Sequence, residues 1–149
     1  MELNWKIRKF SQLTVRELYE IYKIREAVFV VEQNCPYHEV DENDLKSIHV
    51  YALDDRREII AYARIFQAED AVTFGRVLIN RKYRGKGLGK ELVSKLIEVI
   101  GDTAPGAKVV IEAQEYIQPL YASFGFKRTS EVYLIDNIPH VTMERVQSR

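Results

Sequence analysis

A β-rich run, a glycine loop and an amphipathic helix follow one another between residues 71 and 100, and no other part of the chain restricts the fold so tightly. "AVTFGRVLIN" (71–80) reads as a strand. "INRKYRGKGLGKEL" (79–92) then carries Gly85, Gly87 and Gly89 among the cations Arg81, Lys82, Arg84, Lys86 and Lys90. From Leu88 the apolar residues fall at 88, 92, 93, 96, 97 and 100, one face of a helix that "GDTAPGA" (101–107) ends. A strand entering a helix through glycines aims unpaired backbone N–H groups at one point, where the helix dipole adds positive potential. An anion is welcome there, and glycine lets the backbone approach it closely.

Two common phosphate loops fail on spacing. A P-loop needs G-x-x-x-x-G-K-[ST], but Glu91 follows Lys90 and Arg84 occupies the place of the first glycine. A dinucleotide fingerprint needs G-x-G-x-x-G, yet Lys90 stands where the third glycine belongs. The 149 residues balance 22 Lys+Arg against 22 Asp+Glu, so the positive charge is local. Neither nucleic acid nor a membrane surface is the expected partner.

The remaining runs surround this unit. "NWKIRKF" (4–10) alternates as a strand, and Thr14 stands three residues before Glu17 in a capping-box arrangement. Leu18, Ile21, Tyr22, Arg25, Val28 and Phe29 follow at helical spacing, fading through "VVEQNCPYHEVDEND". "SIHVYAL" (47–53) and "EIIAYARIFQA" (58–68) form a hairpin around "DDRR". "KVVIEA" (108–113) is a strand and "YIQPLYASF" (116–124) a short helix stopped by Gly125. "KRTSEVYLID" and "HVTMERV" are two closing strands around "NIP". The order suits an α/β (α+β) protein with a mixed sheet covered by helices, one domain over 1–149. Cys35 is the sole cysteine, and residues 1–15 contain no signal-peptide core, so a cytoplasmic setting is expected.

Arg84-Gly85-Lys86-Gly87-Leu88-Gly89 fits R-x-x-G-x-G and resembles the pyrophosphate loop of the GNAT superfamily of N-acyltransferases. Downstream, Leu120-Tyr121-Ala122-Ser123-Phe124-Gly125-Phe126 is similar to that superfamily's L-Y-x-x-x-G-F element. "AVFVVEQNCPY" (27–37), "AYARI" (61–65), "GRVLI" (75–79) and "IPHVTMER" (138–145) resemble the ElaA-type branch. The resemblance implies a central sheet of six to seven strands flanked by about four helices. It also implies acetyl-CoA as co-substrate, no metal, and direct transfer of the acetyl group to a primary amine. A non-catalytic CoA-binding sensor or regulatory module is the alternative. Terminal strands in this fold often pair between subunits, which leaves a homodimer open.

Carried over by position, Val77, Leu78 and Ile79 supply backbone contacts to the pantetheine. Arg84, Gly85, Lys86, Gly87, Leu88, Gly89 and Lys90 seat the pyrophosphate, and Gln114 stands where many relatives carry Asn. Tyr121 is the implied general acid, because a phenol is protonated at neutral pH and can protonate a thiolate. Glu112, which shares a strand face with Gln114, His140 in the "IPH" turn, and Glu32 are the candidate bases. Glu32, Gln33 and Tyr37 lie where the family builds its acceptor pocket. "HEVDEND" (38–44) is expected to be a solvated loop, with an acidic rim for a cationic amine as the second reading. His38, His49 and Cys35 lack metal-ligand spacing, and direct transfer requires no cysteine nucleophile.

Overall fold

The computed structural model describes residues 3–146. β1 (Trp5–Lys9) leads to α1 (Val15–Arg25), whose start is the capping box written in the sequence. The Glu17 backbone N–H donates to Thr14 Oγ1 at 3.0 Å and the Thr14 N–H donates to the Glu17 carboxylate at 3.0 Å. The apolar spacing beyond Arg25 does not continue as α-helix. Residues Glu26–Glu32 widen into a π-helix that buries Val28 and Phe29. A short α2 (Asn43–Lys46) follows.

β2 (Ile48–Leu53), β3 (Ile59–Gln67) and β4 (Val72–Ile79) form an antiparallel meander beside β1. α3 (Leu88–Thr103) then crosses to β5 (Lys108–Gln114), which runs parallel to β4. α4 (Gln118–Ala122), β6 (Lys127–Arg128), β7 (Tyr133–Ile135) and β8 (Ile138–Val146) complete the chain. The strand order is β1-β2-β3-β4-β5-β8-β6, with β7 paired to β8.

The sheet has eight strands rather than six or seven, because "KRTSEVYLID" divides. The Thr142 N–H donates to the Ser130 hydroxyl at 2.9 Å, so a side chain takes the place of a backbone acceptor between β6 and β7. The closing turn is also displaced. Asp136 and Asn137 both have positive φ, the requirement of a tight two-residue hairpin turn, and Ile138 and Pro139 already belong to β8. His140 is therefore a strand residue opposite Gln114, not a turn residue.

Each sheet face has its own apolar layer. Leu88, Leu92, Val93, Leu96, Val99 and Ile100 of α3 pack with Phe74, Ile111, Tyr121, Phe126 and Met143 on one side. Ile21, Val28 and Phe29 pack with Tyr51, Tyr62 and Leu78 on the other. Period-two alternation in the strands supplies both faces, which fixes the register of the central strands.

Candidate active site

β4 and β5 are neighbours, yet Val72↔Val109 is their single paired position. Beyond it the strands part, and the crevice opens toward the ends that carry Ile79 and Gln114. Backbone groups in that crevice have no ladder partner, so an extended ligand can hydrogen-bond to them. A bulge in β4 contributes to the parting. The register on β3 shifts between Tyr62, opposite Leu78, and Arg64, opposite Gly75. Arg76 takes a left-handed φ of 53° inside the extra residue. Val77 and Ile79 pack toward the α3 layer and Leu78 toward the α1 layer.

At the open end stands the glycine loop. Gly85 and Gly87 have φ of 80° and 75°, and a Cβ at either would meet nothing within 4 Å. Their need for glycine is therefore conformational. Gly87 is the N-cap of α3 and supplies no capping side chain, so the first-turn N–H groups face outward for a ligand. Leu88 is buried and anchors the helix start, while Gly89 packs near Leu120 Cδ2. Lys86 and Lys90 are exposed beside the loop. This donor set fits the diphosphate of a coenzyme A thioester, with the crevice accommodating an extended arm.

Tyr121 projects from α4 into the α3 layer, its ring 5.9 Å from those of both Phe74 and Phe126. The residue is 5% exposed, and its hydroxyl has no hydrogen-bond partner among the described residues. The Tyr121 hydroxyl is not among the fully enclosed polar atoms of the described residues that lack a hydrogen bond, so it keeps an open side. Burial, reinforced by the Tyr116 phenol, pushes its pKa well above the usual tyrosine value.

Glu112, Gln114 and His140 come together on the opposite face of β5 and β8. Gln114 lies directly across from His140 and Glu112 across from Thr142. His140 stacks on Tyr133 and holds Nδ1 2.7 Å from the Ile138 carbonyl, so Nδ1 carries the proton when the ring is neutral. Glu112 is exposed. Gln33 caps the π-helix, and Tyr37 lies under the Arg76 guanidinium at 5.4 Å from ring centre to Cζ.

The "HEVDEND" segment is neither a solvated loop nor an acidic rim. Glu39 and Asp44 are buried and Asp41 is partly so, with Arg25, Arg64 and Arg76 as their counter-ions. Arg25, wholly buried, donates to Glu39 at 2.8 Å and to both Asp44 oxygens at 2.7 and 3.1 Å. Arg64 forks onto Asp41 at 2.6 and 2.9 Å and reaches Asp44 at 2.9 Å. Burial by itself would raise the Asp44 carboxyl, but its bonds from Arg25 and Arg64 hold it below the ordinary value. His49 sits at the network's edge and its pKa is lowered, chiefly by burial. Its Nε2 donates to the Asp44 carbonyl at 2.9 Å, so Nδ1 accepts from the Tyr62 hydroxyl at 2.6 Å. Sequence offered one signal for this network. Arg25 falls on the apolar face of α1 and Arg64 inside an apolar strand, and buried cations require carboxylates.

Glu32 also has a partner that the sequence did not reveal. Its carboxylate accepts from Arg84 Nη1 and Nη2 at 2.7 and 3.0 Å, while Arg84 Nε donates to the Ile79 carbonyl at 3.0 Å. The ion pair holds Glu32 below the usual carboxylate range. Among the loop cations, Lys82 is paired with Glu58 at 3.1 Å.

A family described as "Acetyltransferase (GNAT) domain" matches residues 13–146, which include the crevice, the glycine loop and Tyr121. The chain belongs to this GNAT acetyltransferase family. A UPF0039 protein of Schizosaccharomyces pombe is 43% identical over 143 residues, covering 95% of each chain. Protein ElaA of Escherichia coli is 40% identical over 147 residues, covering 96% of each. The crystal structure of an acyl-CoA N-acyltransferase from Pseudomonas aeruginosa superposes with a TM-score of 0.92 at 38% identity, over 97% of this chain and 99% of that one. GNAT membership makes acyl transfer the general chemistry of the site and an acyl-CoA its general donor. Among the described residues no helix is long and apolar enough to cross a membrane.

Proposed function

We propose that this GNAT protein transfers an acetyl group from acetyl-CoA to a primary amine by direct attack on the thioester. The observation that carries the reading is the crevice between β4 and β5, whose open end runs into the glycine loop, and the Tyr121 ring, which packs against Phe74 of β4 while its hydroxyl has no partner among the described residues. A thioester supplies an acyl group already activated for attack. The protein's work is then chiefly to hold donor and amine together, an effect worth about 7–11 kcal/mol in well-oriented cases.

In this reading the backbone of Val77, Leu78 and Ile79 binds the pantetheine and directs an N–H at the acyl oxygen. The loop from Arg84 to Lys90 seats the diphosphate, and Gln114 faces the crevice from β5. As the C–N bond forms and the C–S bond breaks, Tyr121 donates its proton to the departing thiolate. Its raised pKa keeps that proton in place at neutral pH. His140 and Glu112, neighbours on one sheet face, accept the proton lost by the amine, directly or through water. Gln33 and Tyr37 lie on the acceptor side. The test is a thiol-release assay with acetyl-CoA across a panel of primary amines, with the products identified by mass. CoA binding with no acetylated product from any amine would support the regulatory CoA-binding alternative.

A further inference from the structure

A groove of about 580 Å³ runs between the π-helix and the end of β4. Ile24 of α1 and Val28, Val31 and Glu32 of the π-helix line it, together with Arg81 and Arg84 of the loop after β4. Val31 is 69% exposed there, an apolar side chain without a cover. The groove's carboxylate is neutralised as it stands, because Glu32 is held by both terminal nitrogens of Arg84.

Arg84 has a second claim on it. It immediately precedes Gly85 and the outward-facing N–H groups of α3, with Lys86 and Lys90 nearby. A diphosphate seated at those N–H groups is a stronger magnet for a guanidinium than one carboxylate. It carries more charge and accepts the same fork of two hydrogen bonds. The pair it would displace is exposed on both sides, at 39% and 37%, and exposed pairs are weak.

We propose that Arg84 is exchanged between Glu32 and the CoA diphosphate, and that the released Glu32 carboxylate then receives the ammonium of an amine with an apolar body. This rests on the acyltransferase reading and assigns the class of acceptor. Bound CoA favours the amine, because the diphosphate draws Arg84 away from the amine's counter-ion. The apolar lining selects an alkyl- or aryl-bearing amine over a polyamine of uniform charge. The coupling is reciprocal, so the amine tightens CoA by the factor that CoA tightens the amine.

Titration calorimetry with CoA and with phenethylamine tests the exchange without turnover. Glu32→Gln removes the competitor for Arg84 and is expected to bind CoA about two- to fivefold more tightly than wild type. In the wild type, phenethylamine is expected to bind more tightly when CoA is present, and Glu32→Gln to lose most of that binding. If wild type binds CoA but Glu32→Gln binds it equally or less tightly, the exchange is overturned while the acyltransferase reading stands. Phenethylamine affinity that is the same with and without CoA, or absent in both, overturns the groove as its seat. A wild-type protein that binds no CoA overturns both readings.

Discussion

Arg76 Nε lies 2.7 Å from the Glu39 carboxylate, although Arg76 itself occupies the left-handed bulge of β4. The same guanidinium donates to the Glu39 carbonyl at 2.9 Å and covers the Tyr37 ring. Glu39 is in turn held by Arg25 from the end of α1. The bend in the strand that borders the crevice is thus tied to the loop that carries Tyr37 and Glu39.

This contact separates two effects at position 76. Both Arg76→Gly and Arg76→Ala lose the ion pair, but only alanine keeps the steric cost of the left-handed φ, about 1–2 kcal/mol. Urea denaturation is expected to find Arg76→Gly the more stable of the two by about 1 kcal/mol. Equal stabilities would mean that the bulge relaxes once the guanidinium is gone.

Asp44 is 1% exposed and serves two arginines. Asp44→Asn leaves buried positive charge uncompensated and is expected to cost about 3–5 kcal/mol. Glu42→Gln, two positions away and exposed, is expected to stay within about 0.5 kcal/mol of wild type.

The network also sets a pH response. Asp41 and Asp44 both have folded-state pKa values below the ordinary 3.8. Their stabilisation is therefore present above the unfolded value and is lost as pH falls through the lower folded values. Wild-type stability should stay level on this account from pH 7 to about 4 and decline below it. Asp44→Asn should show a shallower decline there; an identical acid limb would remove Asp44 from the account.

Tyr121→Phe keeps the ring between Phe74 and Phe126 and removes only the hydroxyl. Turnover with a competent amine is expected to fall by about 10²-fold or more, with CoA affinity within about twofold of wild type. Because burial raises the Tyr121 pKa, no loss of the acid should limit the rate below pH about 10. A turnover number unchanged by the substitution would remove Tyr121 from the chemistry.

Gly87→Ala places a side chain at φ 75°, where a Cβ has space but the backbone conformation is strained. A cost of about 1–2 kcal/mol and weaker CoA binding are expected. Gly89→Ala introduces only an ordinary contact with Leu120 inside a helix and should be neutral or slightly stabilising. Thermal denaturation and CoA titration of both variants check the contrast.

What was legible in the sequence is what depends on near neighbours. Thr14 and Glu17 announce a helix start because both halves of the capping box lie within one turn. The α3 stripe declares its buried face, and Gly85 and Gly87 of the loop stand at positions of positive φ. The R-x-x-G-x-G and L-Y-x-x-x-G-F elements were readable for the same reason, and with them the family. The tertiary structure decided the rest. "HEVDEND" has the composition of a solvated loop, and only the approach of Arg25, Arg64 and Arg76 makes it a buried ion network. Arg76 has no glycine's licence for positive φ, so its bulge follows from pairing with β3 and from Glu39. Glu32 and Arg84 meet across 52 positions of sequence. Backbone preference and side-chain periodicity are written locally, whereas desolvation and charge pairing belong to whichever distant residues the sheet topology brings together.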